Sequence, residues 1–169
     1  MESHNKPVTI KIRSLKYDCS ELPGAEQVKI DKLVEYTPTE IIEDTVEGQL
    51  RADTNRIIVV YNETEASGMA GTRSMISFDP CDSQSLKIIR SGTVKSNFDF
   101  QEGKTSSSRY TTSFFNFDMK VHTVTVDNNL TENGGRLMLD YVMEIPYSMK
   151  DRMLLTLDVK EKEDEYPII

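Results

Sequence analysis

Leu86–Val126, LKIIRSGTVKSNFDFQEGKTSSSRYTTSFFNFDMKVHTVTV, is the stretch from which the fold is read. Val94, Ser96, Phe98 and Phe100 alternate with Lys95, Asn97 and Asp99, the period of a strand with one face inside and one outside. Gln101-Glu102-Gly103-Lys104 follows, and Gly103 supplies the positive φ that a tight hairpin often needs. The next strand, Thr105–Ser113, is rich in Ser and Thr, and after Phe114-Phe115-Asn116 the chain returns through Phe117, Met119, Val121 and Thr123. With Leu86, Ile88 and Arg90 leading in through Ser91-Gly92, the stretch holds three or four strands folded back on one another.

The flanks extend that sheet. On the N-terminal side Thr72–Phe78 alternates, and Arg56–Tyr61 is apolar on both faces and predicts a central, well-covered strand. Ile42, Val46 and Leu50 fit a helix opened by the capping box Thr37-Pro38-Thr39-Glu40, or a strand; we favour the strand, because Gly48 would weaken a helix by about 1 kcal/mol. Val28–Tyr36 and Pro7–Tyr17 are expected strands, separated by a break at Asp18–Gln27. On the C-terminal side Leu137, Leu139, Tyr141, Met143 and Ile145 alternate with Arg136, Met138, Asp140 and Glu144. A last strand, Arg152–Lys160, precedes an acidic tail expected to fray from Glu161 onward. About ten strands with turn signals every 8–12 residues predict an all-β sandwich or barrel. Successive hairpins favour a single antiparallel up-and-down β-barrel of about 8–10 strands, which leaves no exposed edge.

A chain of 169 residues suits one domain, residues 1–169, and can bury roughly 70% of its unfolded surface. Its 28 acidic and 20 basic residues give a net charge of −8, which argues against nucleic-acid and anionic-membrane partners. Neither a signal-like apolar stretch near Met1 nor a later run approaching about 18 apolar residues is present, so a cytoplasmic protein is expected. Cys19 and Cys81 are then expected as free thiols. His4 and His122 have no Cys or His at ligand spacing, so no metal is expected. No cofactor motif or catalytic triad is readable, and an enzyme is the least favoured reading.

Specific strings in this order carry a resemblance: Tyr61-Asn-Glu63-Thr-Glu-Ala-Ser67-Gly68, Arg90-Ser91-Gly92, Phe100-Gln-Glu-Gly103-Lys104, Tyr110-Thr111-Thr112 and Gly134-Gly135. From Ile41 to Lys160 the chain resembles the YwiB-like family of small bacterial proteins, a domain of unknown function. The resemblance implies a calycin-like, lipocalin-resembling barrel and supplies no activity for it. The chain departs from the pattern at Phe114-Phe115-Asn116, where a Gly is expected before the strand beginning at Phe117.

Candidate site residues lie around the basic middle, where Lys87, Arg90, Lys95, Lys104, Arg109 and Lys120 outnumber Asp99, Glu102 and Asp118. Pointing inward, such side chains would suit a carboxylate or phosphate; pointing outward they are a solvated face. Tyr61 and Glu63 share one face of a strand, and a buried Glu63 needs a cation, which Arg73 or Arg90 could supply, to orient a ligand or to fix strand register. Ser106, Ser108, Tyr110 and Thr112 form a hydroxyl row opposite Arg109, either lining a pocket or facing solvent. The expectation is a cofactor-free barrel, monomeric or homodimeric, that binds a small anionic or amphiphilic ligand near Tyr61, Glu63, Arg73, Arg90, Arg109 and Tyr110. The alternative is a protein–protein scaffold presenting Phe114-Phe115.

Overall fold

The alternation becomes one antiparallel sheet of ten strands in a computed structural model that describes residues 4–20 and 24–163. The strands are β1 (His4–Asp18), β2 (Glu40–Ala52), β3 (Ile57–Asn62), β4 (Thr72–Asp79), β5 (Asp82–Gly92), β6 (Ser96–Gln101), β7 (Thr105–Thr111), β8 (Asn116–Asn128), β9 (Gly134–Ile145) and β10 (Met149–Glu161). Their order is β6-β5-β4-β3-β2-β1-β10-β9-β8-β7, so each strand neighbours its successor except at one seam, and β1 joins β10. This is the expected up-and-down barrel, nearly closed. Among the described residues no helix is long and apolar enough to cross a membrane.

The seam falls where the sequence suggests the tightest hairpin. Gly103 does take a φ of +78°, and Lys104 N donates to Gln101 O at 2.9 Å, but β6 and β7 do not form a ladder beyond the turn. The turn lies against β8 instead: Gly103 N donates to Thr123 O at 2.9 Å and Thr123 N to Lys104 O at 3.0 Å. Serine hydroxyls bridge the gap, Ser108 Oγ accepting from Asn97 N and Ser106 Oγ donating to Asp99 O, each at 3.2 Å. Phe98 stacks on Tyr110 across the seam with ring centroids 6.4 Å apart. A pair of backbone bonds between Lys95 and Thr111, both 2.9 Å, closes its end. Ser106 and Ser108 therefore stitch the barrel. The β7–β8 hairpin manages without its expected glycine because Thr112 N donates to Phe115 O at 2.8 Å, while Thr112 Oγ1 accepts from Phe115 N at 3.0 Å.

The interior is filled at one end and hollow at the other. Leu50, Phe78, Leu86, Phe100, Leu137, Leu139 and Leu157 are all buried towards the filled end. β3 is covered on one face only: Ile57, Val59 and Tyr61 are buried, whereas Ile58 and Val60 are half-buried on the outer surface. Lys162 N donates to Pro7 O at 3.0 Å, and its ammonium pairs with Glu47 at 2.8 Å, so the chain is held past Glu161 rather than fraying there. Residues 164–169 of the tail lie outside the described residues.

One expected strand is not a strand. Val28–Tyr36 contains a 3-10 turn, Ile30–Glu35, preceded by another at Ala25–Gln27. β1 already pairs on both sides, with β2 and β10, leaving no edge for a further strand beside it. Ile30 and Leu33 are three apart, the repeat of a 3-10 turn, and Leu33 is deeply buried. This connector is held on the outer side of β10, where Arg152 donates to Val28 O. Arg152 also makes a two-pronged pair with Asp140, at 3.0 and 2.7 Å, with both side chains wholly buried. Asp140 keeps its predicted outward position, but the connector turns that position into interior. Cys19 is buried and Cys81 exposed, and both are free.

A one-ended cavity lined by methionine with an Arg–Glu pair in its wall

The hollow end encloses a cavity of about 390 Å³. Alternation aims its walls. Tyr61 on β3 lies opposite Ser74 on β4, Ser74 opposite Arg90 on β5, and Arg90 opposite Ser96 on β6, so four inward polar side chains cross four adjacent strands in one row. Glu63 follows Tyr61 by two residues, just past the end of β3. Its Oε1 accepts from Ser74 Oγ at 2.6 Å and stands 3.9 Å from Arg90 Nε. The Glu63 and Arg90 side chains are only 5% and 10% exposed, so both charges are out of water. Arg90 Nε makes no hydrogen bond, and neither does the buried Ser96 Oγ across from it.

Around this group the wall is apolar and adaptable. Met69, Met119, Met143, Met149 and Met153 line the cavity with Ile12, Ile42 and Leu155. The unbranched thioether of methionine fits irregular surfaces. Tyr61, Tyr110 and Tyr141 also face inward, and burial raises the pKa of each phenol, with Glu63 adding to the rise and Arg90 opposing it. The phenols therefore stay protonated and able to donate. At the mouth Lys16 pairs with Glu40 at 2.8 Å, which raises the lysine's pKa. Burial pushes the neighbouring Asp151 carboxyl up, with Lys16 pulling against it and Asp18 and Glu40 adding to it.

Four of the six candidate side chains thus meet in one place: Tyr61, Glu63, Arg90 and Tyr110. Arg90 rather than Arg73 answers Glu63. Arg73 and Arg109 stand outside: Arg73 is exposed on the outer face of β4, and Arg109 is exposed and engaged with Asn116 at 2.7 Å and Asp118 at 3.7 Å. The reason is parity, since each of the two occupies an outward position of its strand. Of the basic middle only Arg90 enters the cavity; Lys95, Lys104 and Lys120 are exposed, and Lys87 pairs with Asp99 on the outer face. His122 is exposed, with Nδ1 2.7 Å from Thr105 Oγ1. Among the described residues no group of His, Cys, Asp and Glu is placed to hold a metal. Sequence reasoning missed the mouth charges Lys16, Glu40 and Asp151 and the methionine lining. The methionines sit on recognisable inward positions, but their convergence from three strands and a loop is not visible in any one segment.

Comparison with known proteins agrees with this architecture. The "Uncharacterized beta-barrel protein YwiB" of Bacillus subtilis (strain 168) is 27% identical over 106 residues, which are 63% of this chain and 71% of that protein. The crystal structure of the YwiB protein superposes with a TM-score of 0.72 at 19% identity, over 94% of each chain, a likeness of fold. A family model matches residues 27–157, beginning within the connector rather than at Ile41. With over half of its length in that match, the chain belongs to the family described as a domain of unknown function (DUF1934).

Proposed function

We propose that the barrel holds a small amphiphilic molecule in its hollow end and does so as a binding protein, without chemistry of its own. The observation that carries this reading is a cavity of about 390 Å³ with a methionine-rich wall in which the Nε of a nine-tenths-buried arginine has no hydrogen-bond partner. That volume lies within the range of small-molecule sites, roughly 300–1,000 Å³. An apolar ligand body is stabilised there by about 25 cal/mol per Å² removed from water, and the polar row gives the head its orientation. The test is fluorescence titration with the uncharged apolar probe N-phenyl-1-naphthylamine. Saturable one-to-one binding to the native protein, lost in Met153→Trp, supports the reading; absence of binding, or binding unchanged by the substitution, overturns it.

A second reading has its own observation. Phe114 and Phe115 are 87% and 61% exposed at the tip of the β7–β8 hairpin, beside the mouth, and Phe115 stacks on Phe117 at 5.6 Å. Such a tip suits contact with a protein partner.

A further inference from the structure

The wall of the cavity carries both signs of charge side by side, which restricts the head of the ligand that the preceding reading places there. Glu63 and Arg90 are both buried, and they neutralise one another from 3.9 Å without a hydrogen bond between them. Ser74 satisfies one oxygen of Glu63 at 2.6 Å, whereas Arg90 Nε and the neighbouring Ser96 Oγ remain without partners. An anionic head bonded to Arg90 would lie within a few ångströms of the Glu63 carboxylate, and like charges so placed out of water oppose each other. A cationic head bonded to Glu63 would meet Arg90 in the same way. A neutral head carrying an acceptor beside a donor meets neither obstacle. Two atoms 3.9 Å apart can both be reached from one oxygen with ordinary bonds of about 2.8 Å, accepting from Arg90 and donating to Glu63.

We propose that the ligand is an amphiphile whose head is uncharged and offers an adjacent acceptor and donor: a primary amide, an alcohol, or a carboxylic acid in its neutral form. This deepens the binding-barrel reading and rests on it. It also narrows the sequence-based expectation of an anionic ligand, because the arginine that would attract an anion comes with its own carboxylate.

The test compares three ten-carbon probes by calorimetric titration at about pH 8, where carboxylate and ammonium are both charged. At roughly 30 Å³ per heavy atom, ten carbons match the cavity. Decanamide is expected to bind at least about tenfold more tightly than decanoate or decylammonium. Glu63→Gln leaves Arg90 as a lone cation, so decanoate is expected to gain at least about tenfold relative to decanamide. Ser74 still has an amide oxygen to donate to in that variant, and its thermal midpoint checks that it is folded. The proposal is overturned if the native protein prefers decanoate, or if Glu63→Gln leaves the order of the three probes unchanged. Equal binding of all three overturns it while leaving the binding barrel standing; failure of these probes and of the uncharged phenylnaphthylamine removes both.

Discussion

Asp140→Ala would take from Arg152 the carboxylate that receives its Nε at 3.0 Å and its Nη2 at 2.7 Å, while the guanidinium stays wholly buried beneath the connector. Breaking a buried pair from one side typically costs about 3–5 kcal/mol, because the remaining charge keeps its desolvation penalty and loses the compensation. For a chain of this size each kcal/mol lowers the thermal midpoint by about 2–4 °C, so a fall on the order of 10 °C is expected. The molecule contains its own control. Arg136 and Asp158 make almost the same fork, 2.7 and 3.1 Å, but on the surface, with the arginine 65% exposed. There Asp158→Ala should cost less than about 1 kcal/mol. Urea unfolding followed by far-ultraviolet circular dichroism compares the two variants directly. Equal costs within about 1 kcal/mol would refute the argument that burial sets the size of the effect. Replacing both partners, Asp140→Leu with Arg152→Met, should recover most of the loss, since an apolar pair of similar volume has no charge to desolvate.

The raised Asp151 carboxyl gives a pH signature of known sign: its contribution is fully present below the ordinary carboxylate pKa and is lost as pH rises through the higher folded value. Asp151→Asn should therefore be more stable than the native protein at neutral pH, with the advantage vanishing in acid; an advantage that grew on acidification would reverse the assignment. Gly103→Ala, at φ +78° with open space around it, should cost about 1–2 kcal/mol. Gly92→Ala, whose Cβ would lie 2.2 Å from Gly71 O, should fail to give soluble folded protein, and equal expression of the two variants would count against the close approach of β4 and β5. The double change Ser106→Ala and Ser108→Ala should cost about 1–3 kcal/mol and speed amide exchange at Asn97, whose N–H loses its acceptor; unchanged exchange there would mean the seam is held by something else.

The barrel was legible in the sequence because period-2 alternation is local: Val94 to Phe100 and Leu137 to Ile145 announce their inward faces without knowledge of any partner. The strand at Ile42–Leu50 was legible for a similar reason, Gly48 counting against a helix, and the structure adds that a Cβ there would lie 2.4 Å from Val60 O. What failed depends on position in the closed sheet. Val28–Tyr36 contains strand-forming residues, but both edges of β1 are taken, a fact of topology rather than of propensity. The β6–β7 turn has hairpin chemistry, yet β6 and β7 are the two ends of a sheet closing on itself, where a full ladder does not form. The site was half legible. Parity within β4 and β7 decides that Arg73 and Arg109 face outward, while the pairing of Glu63 with Arg90 follows from register across β3, β4 and β5, which no single segment records.

Residue type then explains why this barrel is filled at one end and hollow at the other. The strands carry Leu and Phe on inward positions towards Phe78 and Leu137, where side chains meet across the axis and are fully buried. Towards the mouth the same inward positions carry Ser14, Glu63, Arg90 and the methionines. Two opposite charges in that wall cannot be packed over by neighbours without leaving Arg90 Nε still lacking an acceptor, so apolar collapse of this end gains little. Stability therefore rests on the filled half, as in other folds where a rigid scaffold carries a less committed site. The hollow half is held open by a pair that a neutral donor–acceptor head would complete.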